Sequence, residues 1–333
     1  MVNNGEVGKL RGGGAKGVRL LGLGGTISMS DGAGGAKPAL RAGEIARPHR
    51  KITSSVDVSF LGGSEIDFSV LVRLVAELDL AVSDRVAGVV ITVGTDAVEE
   101  TAAWVACSGP WGIPIVITGS MLPGKRLGSD GVANLADSVE VALDQRATEP
   151  VVVFGGRIYL AHEVMKVSGL ERMAFDAPGH GPIGVVLPAG SDWYRPPSPW
   201  EYMLGRPGSE FPVIPIIVAS LGDDGSLIGF GSRISDILVI AGNGAGNLPP
   251  PQARAAIHAA SQGKLVVVTS RAPDSRAGPV YGYPGGSATL VNHDVIVVSD
   301  LTPHRARIVL EIGYSQGRSL EGLRELLKRP ALG

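Results

Sequence analysis

A repeated alternation of short apolar runs with longer amphipathic stretches, from residue 18 to about residue 189, most constrains what this chain can fold into. The runs are β-branched and short, as expected for buried strands, and the stretches have apolar residues at helical spacing. Strand–helix–strand order of this kind predicts an α/β domain with a parallel sheet covered on both faces. Strands are predicted at Val18–Leu23, Val56–Leu61, Val86–Val93, Ile113–Thr118 and Val151–Phe154, and helices at Asp67–Val82, Val98–Cys107 and Gly131–Leu143.

The pattern changes after residue 191, where proline and aromatic residues are frequent and apolar residues recur at no regular spacing. Short apolar runs then return, and with them a second, smaller α/β domain is predicted. Its strands are predicted at Ile214–Ser220, Ile237–Ala241, Leu265–Thr269 and Val295–Val298, and its helices at Gln252–Ser261 and Leu320–Leu327. The expected organisation is a flexible, glycine-bearing arm (1–17), an N-terminal domain (18–191), a linker (192–212) and a C-terminal domain (213–333).

Composition excludes several classes of protein. The net charge of −2 does not indicate a basic surface that would bind nucleic acid or an anionic membrane. The single cysteine, Cys107, excludes an internal disulfide and fits a reducing compartment. The first 17 residues have no apolar segment typical of a secretory signal, and no apolar run approaches the length of a membrane span. We therefore expect a cytoplasmic protein.

Hydroxyl and carboxyl side chains follow three of the predicted strands. Thr26 comes after two glycines at the end of the first strand, Ser64 follows the second, and Thr95 and Asp96 follow the third. Ligands of open α/β sheets bind outside the carboxyl ends of the strands, so these side chains are expected to line one crevice, with Thr26 as a candidate nucleophile. Local capping is the alternative: Asp96 with Glu99 has the spacing of a helix capping box.

Two other motifs each lack a residue that their function requires. Gly119–Lys125 has the spacing of a phosphate-binding loop, but Arg126 stands where Ser or Thr would bind magnesium. His162-Glu163 begins like a zinc motif, but Lys166 stands where the second histidine is needed. Lys166 could instead be a base for a threonine nucleophile if its surroundings left it neutral, or an ordinary solvated lysine.

Taken together, these stretches resemble the bacterial-type L-asparaginase family in its two-threonine form. The resemblance covers residues 20 to about 312 in the family's order. The stretches that carry it are Leu23–Ile27 (LGGTI), Val93–Ala102 (VGTDAVEETA), Thr118–Pro123 (TGSMLP), Ser129–Leu135 (SDGVANL), Ala161–Phe175 (AHEVMKVSGLERMAF) and Gly242–Asn247 (GNGAGN).

The resemblance implies a two-domain asparaginase-like fold and an amidohydrolase that needs neither a metal nor an organic cofactor. Thr26 would attack the side-chain amide carbon of L-asparagine and form an acyl-enzyme. Thr95 and Lys166 would move protons and activate water, and backbone N–H groups near Thr95 or Ser120 would stabilise the oxyanion. Asp96 would bind the substrate ammonium and Ser64 its α-carboxylate.

The family also implies a homo-oligomer, a dimer or a tetramer, in which a neighbouring subunit completes each site. Asn247 is the candidate from that neighbour. The full set expected to bind the amide substrate is Gly25, Ser64, Glu65, Gly94, Thr95, Asp96, Ser120 and Asn247.

Several positions depart from the family pattern. The loop Ser30–Arg47 lacks the tyrosine that many members place there, and Tyr281 or Tyr283 is the candidate substitute. Glu65 adds negative charge near the expected α-carboxylate position, while Ala97 and Leu122 replace polar residues. L-asparaginase is therefore the leading prediction. A related enzyme acting on another amide, or an inactive binding or regulatory relative, is the alternative.

Overall fold

The computed structural model describes residues 17–32 and 34–328. The chain forms two compact units, the first ending at Gly205 and the second beginning at Arg206. The predicted arm lies outside the described residues except for Gly17. None of the helices in the described part of the chain is long and apolar enough to cross a membrane.

The first unit is built on an eight-stranded sheet flanked by helices. These elements are β1 (Val18–Gly24), β4 (Ile52–Leu61), β5 (Gly88–Thr92), β6 (Ile115–Thr118), β7 (Val151–Phe154), β8 (Arg157–Leu160), β11 (Gly184–Leu187) and β12 (Gly190–Trp193), with helices α2 (Phe68–Ser83), α3 (Val98–Cys107) and α4 (Gly131–Ala142). The order across the sheet is β12-β11-β8-β7-β6-β5-β1-β4. The strands β4, β1, β5, β6 and β7 pair in parallel.

Burial explains why the parallel part was predictable. Every residue of β5 and β6 is buried, as is typical of strands covered on both faces. The helix α2 buries one apolar face, and the Asp67 side chain caps its start by accepting the Val70 N–H at 3.0 Å. The apolar runs and periodic stretches of the sequence therefore correspond to real elements.

The predicted parallel sheet is confirmed, and one edge of it carries antiparallel strands that were not predicted. A two-residue turn, Gly155-Gly156, reverses the chain between β7 and β8, and both glycines have positive φ angles of 58° and 74°. Such turns favour glycine and join antiparallel strands. The strands β8, β11 and β12 continue the sheet in antiparallel fashion, so the sheet is mostly parallel.

The stretch predicted as a linker belongs partly to the first unit. Residues 192–193 complete β12, and Tyr202 is 2% exposed. The Leu204 N–H donates to the Cys107 carbonyl at 2.8 Å. Trp200 and Tyr202 of this stretch are thus buried, which a sequence without regular apolar spacing does not reveal.

Short elements outside the main sheet complete the first unit. The loop after Thr26 contains β2 (Met29–Ser30) paired with β3 (Lys37–Pro38), followed by α1 (Ala42–Ala46). A second small pair, β9 (Met165–Lys166) and β10 (Phe175–Asp176), follows β8.

The second unit is a four-stranded parallel sheet with helices. The elements are β13 (Ile216–Val218), α5 (Ser226–Ile234), β14 (Ile237–Gly242), α6 (Pro250–Ser261), β15 (Leu265–Ser270), α7 (Ser287–Val291), β16 (Ile296–Val297), α8 (Pro303–Ser315) and α9 (Leu320–Leu327). The order across the sheet is β13-β14-β15-β16. The predicted strands and helices of this unit are present, and α5, α7 and α8 are additional helices.

Helix α8 is a buried helix that carries charged residues inside. Arg305 is 7% exposed and Glu311 is fully buried. The Arg307 Nε lies 3.5 Å from Glu311 Oε1. Burial raises the pKa of Glu311 to about 7, and the Arg307 charge opposes part of that rise.

This shift predicts a pH-dependent stability. The unfolded chain loses the Glu311 proton near the ordinary glutamate pKa of 4.5, whereas the folded chain keeps the proton up to about pH 7. The stabilisation of the folded state by the Glu311 proton is therefore fully present below pH 4.5 and is lost as pH rises to about 7. Glu311→Gln should match the wild type at about pH 4.5 and be more stable by about 1–2 kcal/mol at about pH 8.

Chemical denaturation at the two pH values measures this difference. Glu321→Gln on α9, whose carboxylate is exposed, is the matched control and should show a small difference that does not grow with pH. A Glu311→Gln protein less stable than the wild type at about pH 8 would contradict the prediction.

Candidate active site

Three glycines hold the ends of the neighbouring strands β4, β1 and β5 together. A Cβ on Gly25 would lie 2.2 Å from the Cα of Gly94, and a Cβ on Gly94 would lie 2.6 Å from the Cα of Gly63. Real Cβ atoms do not approach backbone so closely, so these loops touch through bare main chain. The contact brings the loops that carry Thr26, Ser64 and Thr95 to one edge of the sheet, as predicted.

Gly24 and Gly25 also set the direction of the chain before Thr26. Their φ angles are 99° and 79°, in the region that favours glycine. The Gly25 N–H donates to the Leu61 carbonyl of β4 at 2.8 Å. Thr26 then begins a short 3₁₀ turn, Thr26–Ser28, and is half-buried.

The loop after β6 joins the same edge. A Cβ on Gly119 would lie 2.6 Å from the Val93 carbonyl oxygen, and Ser120 is fully buried. Asp130 organises this loop: its carboxylate accepts the Ser120 hydroxyl at 2.9 Å and the backbone N–H groups of Met121 and Leu122 at 2.9 and 3.0 Å. Because Ser120 Oγ also lies within hydrogen-bond distance of the Leu122 carbonyl oxygen, both acceptors of its single proton belong to its own loop and the start of α4.

Asp130 lies in Ser129–Leu135, one of the stretches that resemble the family, but no role was predicted for it. Asn134, one helical turn later, donates to Asp130 at 3.1 Å and to the Gly119 carbonyl at 3.0 Å. The Asp-x-x-x-Asn spacing at a helix start was the available signal, because residues four apart lie on one helix face.

Lys166 reaches the loop after β5. Its Nζ donates to Thr95 Oγ1 at 3.0 Å and to Asp96 Oδ1 at 2.6 Å. Thr95 is 7% exposed, whereas the Asp96 side chain is 69% exposed. The lysine is therefore not an ordinary solvated side chain, and a hydroxyl, a lysine nitrogen and a carboxylate meet at one point.

The capping box expected for Asp96 and Glu99 is not formed. The N-cap of α3 is Ala97, whose N–H donates to the Gly94 carbonyl at 2.9 Å, and no side chain caps this helix start. The Asp96 carboxylate binds Lys166 instead. At the second strand end, Asp67 is the cap, which leaves Ser64 exposed within a 3₁₀ turn.

Glu65 lies beside Ser64 and is also exposed. Its Oε2 accepts the Gly62 N–H at 2.7 Å, so the carboxylate is folded back onto its own loop. The negative charge nevertheless stays on the same 3₁₀ turn as Ser64.

Three predicted site residues belong to the second unit. Asn247 follows β14, and its Oδ1 accepts the Ser287 N–H at 3.1 Å, at the start of α7. Tyr281 and Tyr283 are about half exposed, with ring centroids 5.8 Å apart. Asn247 therefore has a structural contact within its own unit.

The rejected motifs have other roles in the structure. Glu163 is buried and binds Arg195 at 2.6 Å and His180 at 3.3 Å. His162 stacks on Trp200, with ring centroids 5.5 Å apart. Over the residues that the structure describes, no group of three or more His, Cys, Asp or Glu side chains could hold a metal ion.

Comparison with known families assigns both parts of the chain. Residues 17–199 match the family described as Asparaginase, N-terminal, and residues 216–327 match the Glutaminase/Asparaginase C-terminal domain. These matches cover more than half of the chain. The chain therefore belongs to the asparaginase family, which confirms the resemblance and the two-domain fold predicted from the sequence.

Individual relatives agree with this assignment. The chain is 38% identical over 244 residues to a probable L-asparaginase of Deinococcus radiodurans, covering 72% of this chain and 74% of the relative. It is 30% identical to an L-asparaginase of Bacillus licheniformis, covering 91% and 97%. The structure of the thermostable L-asparaginase from Thermococcus kodakarensis is similar, with a TM-score of 0.82 at 25% identity, covering 94% and 97%.

The contact between strand-end loops predicts a severe effect of one methyl group. In Gly94→Ala the new Cβ would overlap the Gly63 backbone, so the loops carrying Ser64 and Thr95 must move apart. We expect a loss of about 1–3 kcal/mol of stability and a fall in amide hydrolysis of at least about 100-fold. Thermal unfolding and ammonia release measure the two effects.

Gly229→Ala is the control for this substitution. Gly229 lies in α5, where an added Cβ meets nothing within 4 Å, so Ala should leave activity unchanged and stabilise the helix slightly. Wild-type activity in Gly94→Ala would show that the close loop contact is dispensable.

Proposed function

We propose that this chain is an L-asparaginase that converts L-asparagine and water into L-aspartate and ammonia through a threonine-bound acyl-enzyme. The observation that carries the proposal is the contact of Lys166 Nζ with Thr95 Oγ1 at 3.0 Å, on the loop that touches the Thr26 loop. A threonine hydroxyl needs a partner that accepts its proton, and a lysine–threonine pair beside it can provide one.

In the first step, the Thr26 hydroxyl oxygen attacks the side-chain amide carbon. A tetrahedral intermediate forms, and its oxyanion is stabilised by backbone N–H groups of the strand-end loops, with those near Thr95 and Ser120 as candidates. The Thr26 proton passes to the amide nitrogen, the C–N bond breaks, and ammonia leaves. The product is a β-aspartyl ester of Thr26.

In the second step, water attacks the ester carbon. The Thr95 hydroxyl takes a proton from the water and passes its own proton to Lys166 Nζ, which acts here as the neutral amine, as the new C–O bond forms. The ester bond to Thr26 then breaks, and the threonine oxygen regains a proton. L-aspartate is released, and the site returns to its starting state.

Substrate binding is assigned to the exposed groups of the same edge. Asp96 would bind the α-ammonium, since a carboxylate accepts several hydrogen bonds and the Asp96 side chain is 69% exposed beside Lys166. The Ser64 hydroxyl would donate to the α-carboxylate. Gly25, Glu65 and Gly94 complete the proposed lining within this unit.

The test is ammonia release from asparagine. We expect Thr26→Ala to lose at least about 1,000-fold in kcat, because it lacks the nucleophile, and Thr26→Ser to keep part of it. Lys166→Met should lose a similar amount with KM changed little. Thr53→Ala, an exposed threonine on β4, is the matched control and should behave as the wild type. Undiminished release in Thr26→Ala would contradict the nucleophile assignment.

A second candidate, a related amidase for another substrate, is favoured by Glu65. Glu65 follows Ser64 in the chain, and its negative charge on the same 3₁₀ turn would repel a substrate α-carboxylate bound by Ser64. Ala97 and Leu122 make the surroundings less polar than in typical members. A panel of glutamine and other amides separates the two: release from another amide alone would favour this candidate. Binding without release from any amide would favour an inactive relative.

We also propose a homo-oligomer, a dimer or a tetramer, in the cytoplasm. Family membership and the single cysteine support these two assignments. In the oligomer, Asn247 of a neighbouring subunit would approach each site. Light scattering of the purified protein should give a mass of at least twice 34.3 kDa, and a monomer that is fully active would contradict the shared site.

A further inference from the structure

Lys166 lies on an element that is separate from the main sheet. The strand β9 has two residues and pairs with the two-residue strand β10, where Phe175 is opposite Lys166. Next to this pair, the Val167 and Ser168 N–H groups both donate to the Ala174 carbonyl, at 2.8 and 3.2 Å. A two-stranded ribbon this short is marginally stable by itself, so its position must be set by other contacts.

Tyr159 of β8 provides such a contact from the main sheet. Its side chain is fully buried, and its hydroxyl donates to the Phe175 carbonyl oxygen at 3.1 Å. The hydrogen bond thus links the eight-stranded sheet to the backbone residue directly opposite Lys166. The Phe175 ring packs on Phe154 of β7, with centroids 4.7 Å apart, which is a second and purely apolar contact to the sheet.

The hydroxyl proton of Tyr159 is directed towards Phe175. The hydrogen bond joins the phenol oxygen to a backbone carbonyl, and a carbonyl oxygen can only accept. The phenol is therefore the donor of this bond. Burial raises the pKa of Tyr159, so the donor stays protonated.

Burying the Tyr159 hydroxyl costs free energy, and packing of the ring alone gives no reason for a hydroxyl at this position. A phenylalanine would fill most of the same buried volume without a polar atom to satisfy. A buried hydroxyl bonded to one backbone carbonyl fixes both the distance and the direction of that carbonyl. The group so fixed is the β10 backbone opposite the proposed catalytic lysine.

We propose that Tyr159 is a positioning residue for Lys166. It acts through the Phe175 carbonyl, which holds the β9–β10 pair so that Lys166 Nζ stays within hydrogen-bond reach of Thr95 and Asp96. The inference rests on the proposed function for its catalytic consequence. Its structural part, the anchoring of residues 165–176, is independent of which amide is hydrolysed.

Tyr159→Phe tests the proposal because it removes one hydroxyl and keeps the ring. We expect kcat to fall about tenfold, since the lysine loses its fixed distance to Thr95. KM should change less than kcat, because Ser64 and Asp96 lie on the loops after β4 and β5 and keep their places even though Asp96 loses part of its contact with Lys166. A purely structural role would instead lower the thermal midpoint and leave kcat unchanged at temperatures where the protein is folded.

Ser138→Ala is the matched control. Ser138 is fully buried in α4, and its hydroxyl donates to the Asn134 carbonyl at 2.6 Å, so this variant also loses one buried hydroxyl-to-carbonyl bond. Its thermal midpoint should fall by a similar amount, with kcat unchanged. A kcat for Tyr159→Phe equal to that of Ser138→Ala would overturn the proposal.

Amide hydrogen exchange supplies a readout that needs no turnover. In Tyr159→Phe, exchange should rise in residues 165–176 and stay at the wild-type rate in β5 and β6. Ser138→Ala should leave residues 165–176 unchanged. Unchanged exchange of this segment in Tyr159→Phe would overturn the anchoring even in a protein that releases no ammonia, whereas that lack of release would count against the proposed function alone.

Discussion

The close approach of bare backbone at the ends of β4, β1 and β5 is the contact on which the candidate site depends. A Cβ on Gly25 or Gly94 would overlap the backbone of the next loop, and a Cβ on Gly63 would lie only 3.3 Å from Gly94, so three loops meet without side chains between them. Parallel strands bring their carboxyl ends to one edge, but side chains would ordinarily keep successive loops apart. The glycines remove that separation, and the hydroxyl and carboxyl groups next to them gather at one edge.

Lys166 comes to the same edge by a different route. It lies on a two-residue strand outside the sheet, and its contacts with Thr95 and Asp96 depend on how that strand is held. Tyr159 and the packing of Phe175 on Phe154 link the strand pair to the sheet. The site thus combines a rigid sheet edge with one lysine whose position is set by a small number of contacts.

Much of the fold was predictable because burial leaves a pattern. The runs that form β5, β6 and β14 are buried throughout and almost wholly apolar, and the helices that flank them are amphipathic. Helix α8 was missed because buried Arg305 and Glu311 interrupt its apolar pattern. The antiparallel strands after Gly155-Gly156 were missed because four-residue strands have too few alternations to show a period.

The sequence by itself determined the family, the two units, and the hydroxyl and carboxyl groups at the strand ends, since local patterns and motifs carry that information. The tertiary structure decided which partner each group has. Asp96 binds Lys166 instead of capping α3, and Glu65 turns back onto Gly62. These outcomes depend on distances between residues far apart in the chain, such as the 70 positions between Asp96 and Lys166, and a local sequence pattern holds no information about such distances.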